Sequence, residues 1–136
     1  MLGYIIEFLK NCPLLEQFVL TADFLGCEEE YLGVFAEGSE PVVEQYADGG
    51  RLKQFVFRLS HRCDGHRENQ ENETAFYEEI GSWLENSTVM PALGKGKTAQ
   101  YFEVIQSGTL ADRSHGSDRY GMVCRLVYYA EKGSEQ

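Results

Sequence analysis

The residues best suited to chemistry lie in one short polar stretch of the chain. His61, Cys63, Asp64 and His66 fall within six positions, and their side chains are of the kinds that bind zinc or act as thiol nucleophiles. A structural zinc site needs a second ligand pair at a defined spacing, and the sequence offers no suitable pair. A thiol nucleophile needs a base that a third group orients, and no such group is apparent. We therefore predict no metal and no cofactor, and a small cysteine hydrolase using Cys63 and a nearby histidine is kept as a remote alternative.

Two further motifs contain active-site residue types at unsuitable spacing. Glu28, Glu29 and Glu30 are adjacent, so their side chains point in different directions and fit a solvated charge run better than an acid–base pair. The segment 94–98, Gly-Lys-Gly-Lys-Thr, lacks the spacing and the flanking strand and helix of a phosphate-binding loop. We interpret it as a flexible connection. The sequence thus predicts no catalytic residue and a protein that is not an enzyme.

Composition limits the partners that this chain is expected to have. Its 136 residues include 22 acidic and 12 basic side chains, for a formal net charge of −10. Binding of nucleic acid through phosphates needs clustered Lys and Arg, so we expect no specific nucleic acid binding. The apolar run at the N-terminus is too short to cross a bilayer and lacks a basic n-region, so we expect no membrane role. The cysteines, with no Cys-x-x-Cys pair, are expected to be reduced, mostly buried thiols in a cytoplasmic setting: Cys12, Cys27, Cys63 and Cys124.

The first third of the chain predicts a helix followed by short extended segments. An apolar stripe at i, i+3, i+4 and i+7 indicates an N-terminal helix that ends at Cys12-Pro13; the stripe consists of Leu2, Ile5, Ile6 and Leu9. Leu14, Leu15 and Phe18 are expected to anchor an extended or irregular connection. Residues 31–36 and 42–47 are predicted strands.

A hairpin and a long helix are predicted in the middle of the chain. Asp48-Gly49-Gly50 indicates a tight turn, because such turns need positive φ. The strand that follows, 53–61, alternates, and we place Phe55, Phe57 and Leu59 in the core. A polar loop is predicted over 62–70, and an amphipathic helix follows it, with Asn69 or Asn72 as its cap. The helix is expected to dock Trp83 on Phe55 and Phe57. Its apolar residues, which we place in the core, are Phe76, Ile80, Trp83 and Leu84.

The C-terminal third predicts further strands rich in tyrosine. We expect a strand over 99–106, a turn at Ser107-Gly108, a short piece over 109–111, a polar loop over 112–118 and a last strand over 119–129. Both faces of the last strand are rather apolar, which favours a central strand, or an edge strand that meets another subunit. Tyr120, Tyr128 and Tyr129 are its possible interface residues.

Together these elements predict one α+β domain over 1–130 and a disordered tail over 131–136. The expected architecture is a mainly antiparallel sheet of four to five strands, packed against one long amphipathic helix and an N-terminal helix.

In the order of several short motifs, the chain resembles the minor capsid protein family of tailed bacteriophages and prophages of low-GC Gram-positive bacteria. That family is related in genome position and size to tail terminator, or tail completion, proteins. The similarity extends over roughly 4–129. The motifs that carry the resemblance are Asn11-Cys12-Pro13-Leu14, Asp23-Phe24-Leu25-Gly26, Tyr46-Ala47-Asp48-Gly49-Gly50, Gln54-Phe55-Val56-Phe57, the segment Asn69 to Asn72, Phe76-Tyr77-Glu78-Glu79 and Trp83-Leu84.

The resemblance implies a tail-terminator-like fold and a virion protein without catalytic residues. Tail terminators of the lambda type form hexameric rings that stop tail-tube polymerisation and meet the head connector. By this resemblance the partners are further copies of the chain, the tail-tube protein and head connector proteins, and the location is the virion, assembled in the cytoplasm of the bacterial host. A head-side connector or minor capsid component is the alternative. Ala47 and the loop 61–67 depart from the family's pattern and leave open which neighbour this loop would touch.

Overall fold

The computed structural model describes residues 1–16, 18–22, 31–37, 42–64, 70–114 and 117–132. Of these, 31, 42, 62–64, 70–74, 107–114 and 117–120 are described by their backbone alone. The described residues form two helices, one 3-10 turn and six strands, in chain order α1 (Leu2–Leu9), the turn Pro13–Leu15, β1 (Val19–Ala22), β2 (Tyr31–Ala36), β3 (Val42–Gln45), β4 (Arg51–Asp64), α2 (Gln70–Asn86), β5 (Lys97–Ser114) and β6 (Ser117–Ala130). The predicted tail falls mostly on 133–136, which lie outside the described residues.

The strands form one mixed, mostly antiparallel sheet in the order β1-β2-β4-β6-β5, and β3 pairs with the start of β4. The α+β class, the predominantly antiparallel pairing and the two packed helices are confirmed. The predicted count of four to five strands is wrong, because β1 adds a sixth by pairing in parallel with β2. A parallel partner is joined through a crossover and not through a tight turn, so no local turn signal marks it.

The predicted turn at Asp48-Gly49-Gly50 joins β3 and β4. Gly49 has a φ of 91°, a conformation that side chains with a Cβ rarely adopt. The backbone N–H of Gly50 donates to Asp48 Oδ1 at 2.8 Å, and the N–H of Tyr46 donates to the carbonyl oxygen of Gly50 at 2.8 Å. These bonds set the register of β3 on β4.

β5 is longer and less regular than the sequence indicates. Its 18 residues pair with the 14 residues of β6, and the register shifts at four places along it. At each shift β5 advances by one residue more than β6, which is the definition of a β-bulge, and bulges bend and twist the strand that carries them. The predicted turn at Ser107-Gly108 is therefore wrong, and the predicted polar loop over 112–118 is wrong at 112–114 and 117–118, which belong to β5 and β6; 115–116 lie outside the described residues. The Ser-Gly pair lies at one of the shifts, between Gln106 and Thr109.

The polar loop predicted over 62–70 is wrong at both of its ends, while 65–69 lie outside the described residues. β4 continues to Asp64 through pairs with β6, and α2 begins at Gln70. Asn72 is inside the helix and is not its cap, while Asn69 lies outside the described residues.

The core lies between the two helices and one face of the sheet. The register places Phe57 opposite Cys124 and Leu59 opposite Met122, and all four are buried. Residues of α1 and α2 complete this cluster, including Ile5, Leu9, Ile80 and Leu84. Because both helices pack on this face, the opposite face of β4, β6 and β5 has no helix over it among the residues that the structure describes.

Candidate interaction surface

The helix-free face of the sheet is the first candidate functional surface, and we call it the open face. Alternation along β4 and β6 places a mixed set of apolar, aromatic and charged residues on it: Leu52, Gln54, Val56, Arg58, Val123, Arg125, Val127 and Tyr129. Val127 is completely buried and Val56 is 8% exposed, although no described element covers them. We attribute this to the long side chains beside them and to the bending of β5 by its bulges.

Arg125 links three strands across the open face. Its Nε donates to Glu103 Oε1 on β5 at 2.8 Å, and its Nη1 donates to Gln54 Oε1 on β4 at 3.0 Å. Guanidinium groups hold several donors in a rigid plane. The side chain is 23% exposed, so its position is fixed while part of it stays accessible.

Arg58 is the second fixed cation of the open face. Its guanidinium lies 4.7 Å from the ring centroid of Phe35, and Nη1 is 3.4 Å from Glu37 Oε1. Its Nε is buried and has no hydrogen-bond acceptor among the described residues. Arginine and aromatic residues are both enriched at protein interfaces.

Tyrosines occupy the end of the open face next to the β3–β4 turn. Tyr46 and Tyr129 lie with ring centroids 6.0 Å apart, and Tyr101 on β5 is 44% exposed. Desolvation, together with the carboxylates of Asp48 and Glu131, raises the pKa of Tyr129. The phenol, which is already neutral at ordinary pH, therefore keeps its proton to a higher pH than usual.

The structure places the three predicted interface tyrosines differently. β6 lies between β4 and β5, so the edge-strand alternative is wrong and the central-strand one is confirmed. Tyr128 points to the helix side and is only 7% exposed, because it alternates with Tyr129; it is therefore not available to a partner. Tyr129 lies on the open face, and the side chain of Tyr120 lies outside the description.

A second accessible apolar surface lies on the helix side, between α1 and the chain that follows α2. We call it the helix-side groove. It encloses about 320 Å³ and is lined by Tyr4, Glu7, Phe8, Asn11, Val89, Met90, Pro91 and Ala92. Tyr4 is 46% and Val89 is 69% exposed. This groove has no local signal in the sequence, because its two walls are more than 70 residues apart in the chain.

The predicted core residues divide into fully and partly buried ones. Four are buried, namely Phe57, Leu59, Ile80 and Leu84, whereas Phe55, Phe76 and Trp83 are partly buried at the border of the core. Trp83 packs on the ring of Phe8 at 5.3 Å, and Phe102 lies between Phe8 and Phe57. Trp83 thus joins α2 to α1, and was not predicted to do so.

His61, the first of the residues considered for chemistry, belongs to the core. It is 3% exposed, its Nδ1 hydrogen-bonds the hydroxyl of the buried Tyr77, and the rings of Phe18 and Phe76 lie within 6.0 Å. Tyr77 was missed because Phe76, its neighbour, fits the apolar stripe better. A histidine enclosed in this way is suited to packing and not to contact with a substrate.

The other candidates for chemistry do not form a site in the part of the chain that is described. The side chains of Cys63 and Asp64, and all of His66, lie outside it, and the described residues hold no group of three potential metal ligands. Cys12 and Cys124 are buried free thiols. Desolvation, with a smaller effect of Glu85, raises the pKa of Cys124 to about 12, whereas a nucleophilic cysteine needs an accessible thiolate.

Comparison of the chain with protein-family models and with curated proteins found no match in either case. None of the described helices is long and apolar enough to cross a membrane.

Proposed function

We propose that this protein is a structural subunit of a tailed-phage virion, a tail terminator or head–tail joining protein that acts by self-assembly and partner docking. The family in this proposal comes from the resemblance of the short sequence motifs given above. The observation that supports an assembly role is the open face, where fixed arginines lie beside exposed tyrosines and the described helices pack on the other side of the sheet.

The composition of this face favours a protein partner over a small substrate. Interfaces are enriched in Tyr and Arg, and the residues that contribute most to binding are often of these types. Arg58 and Arg125 are each held by neighbours before any partner arrives, so little side-chain freedom is lost on binding. In the proposed role the copies form a ring, hexameric by the resemblance, that caps the tail tube and meets the head connector in the host cytoplasm.

Measurement of mass in solution tests this proposal. Native mass spectrometry of the purified chain, alone and with the tail-tube protein, should show a closed oligomer or a complex with the tube. A protein that stays a monomer under both conditions would contradict the proposed role. A head-side connector is the second candidate, and it would assemble with head proteins instead of the tail-tube protein.

A further inference from the structure

The helix layer has an outer surface that differs in charge from the open face. α2 contains five glutamates and no Lys or Arg. Glu78 and Glu79 are exposed, and none of the ion pairs among the described residues involves them. These carboxylates are acceptors without a cation on their own helix, and such groups gain most from a guanidinium supplied by a partner.

The open face has hydrogen-bond donors that its own acids do not use. Arg125 uses Nε and Nη1, and Arg58 uses Nη1, whereas a guanidinium carries five N–H groups. Donors on one side of the molecule and acceptors on the other side are therefore complementary.

Each of the two surfaces also has an apolar feature near its charged residues. On the open face Tyr101 pairs with Val127 and Glu103 pairs with Arg125, so the exposed tyrosine stands about 7 Å along the sheet from the first arginine. On the helix side, Val89 lies at the mouth of the helix-side groove, ten residues after Glu79. The part of α2 from Glu79 to Asn86 rises about 10 Å along the helix axis. The open face thus carries an exposed tyrosine near an arginine, and the helix side carries an apolar groove beyond the helix that bears Glu79.

We propose that the open face of one copy binds the helix side of a second copy, with Tyr101 entering the helix-side groove and Arg58 and Arg125 meeting Glu78 and Glu79. The two surfaces lie on opposite sides of the sheet, so the contact is head-to-tail. Head-to-tail contacts close into a ring when the rotation between neighbours permits it. This inference rests on the proposed assembly role and names the surfaces that would perform it.

A pair of variants with complementary defects tests the contact. Y101E together with R58A disables the open face, and V89E together with E79A disables the helix side. Val43 on β3 is 46% exposed and is not among the residues that define either surface, so V43E is the matched control for the introduction of a charge. Circular dichroism and thermal melting of each variant check that it is folded.

Sedimentation velocity and native mass spectrometry give the readout. The wild type and V43E should assemble, and each surface variant alone should associate at least tenfold more weakly. An equimolar mixture of the two surface variants should form a two-chain complex of about 31 kDa, twice the 15.4 kDa chain, and stop there, because each partner keeps one intact surface.

The outcomes separate this contact from the assembly role. If the wild type assembles but the surface variants assemble as well as it does, or the mixture stays monomeric, these surfaces are not the contact, while the assembly role stands. If the wild type binds neither itself nor the tail-tube protein, both proposals fail. A mixture that forms the two-chain complex supports both.

Discussion

Ionisation of Cys124 should make the protein less stable at alkaline pH, by an amount that the structure predicts. The thiol is fully buried on β6, and desolvation raises its pKa from the ordinary value of 9.0 to about 12. Between these two values the unfolded chain releases the proton while the folded chain keeps it. The free energy of unfolding therefore decreases as the pH rises above 9, by about 1.4 kcal/mol per pH unit, and the contribution is intact below pH 9.

At pH 10 the expected loss from this thiol is about 1.4 kcal/mol relative to pH 8, where it is close to zero. The variant C124A removes the ionisable group. Its truncation cost arises from the cavity that it leaves, so this cost is the same at both pH values. Urea unfolding of the wild type and C124A, in reductant at pH 8 and pH 10, should show that the wild type loses about 1.4 kcal/mol more than the variant.

The comparison cancels the contributions of all other groups, including the tyrosines Tyr128 and Tyr129, whose pKa values are also raised. C12A is a second test of the same effect, because burial raises the pKa of Cys12 as well, and it should give a change of the same sign. Equal losses for the wild type and C124A would show that Cys124 ionises in the folded protein near its ordinary pKa, and the argument from its burial would be refuted.

Three further predictions concern packing, the sheet edge and charge. G121A should destabilise the fold by about 1–3 kcal/mol, because its Cβ would lie 2.5 Å from the carbonyl oxygen of Leu59. G3A on α1, where nothing lies within 4 Å of an added Cβ, should be neutral or stabilising. Similar melting temperatures for the two variants would contradict this. E85A should lower the free energy of unfolding by about 1 kcal/mol and increase aggregation on heating, because Glu85 Oε2 accepts from the N–H of Val104 on the edge strand at 3.0 Å. E85Q keeps an acceptor at this position. A loss of stability in E85Q equal to that in E85A would argue against the edge contact. A ring of six chains at −10 each would carry roughly −60 and should not retain duplex DNA in a mobility-shift assay at moderate salt, so tight binding would contradict the acidic assembly.

The edge contact of Glu85 shows how the sheet limits unwanted pairing. β5 ends the strand order and would otherwise present free backbone groups to other chains. Four bulges bend it, Ala92 pairs with Thr98 at its start, and Glu85 occupies the N–H of Val104. These features favour assembly through faces of the molecule over assembly through this edge.

Local patterns in the sequence determined the elements whose partners are close in the chain. The stripe from Leu2 to Leu9 makes α1, and Asp48-Gly49-Gly50 makes the β3–β4 turn, because periodicity and positive φ are properties of a few adjacent residues. The alternation in β4 likewise places Phe57 and Leu59 in the core.

Only the tertiary structure decided the features that depend on distant segments. The parallel pairing of β1 with β2, the bulges of β5 and the burial of Tyr128 follow from which strand lies beside which, and the same residue types fit several arrangements. The groove between Tyr4 and Val89 and the donors of Arg58 and Arg125 exist because packing brings separate elements together. Surfaces of this kind have no local signal, since burial and exposure are decided by the whole fold.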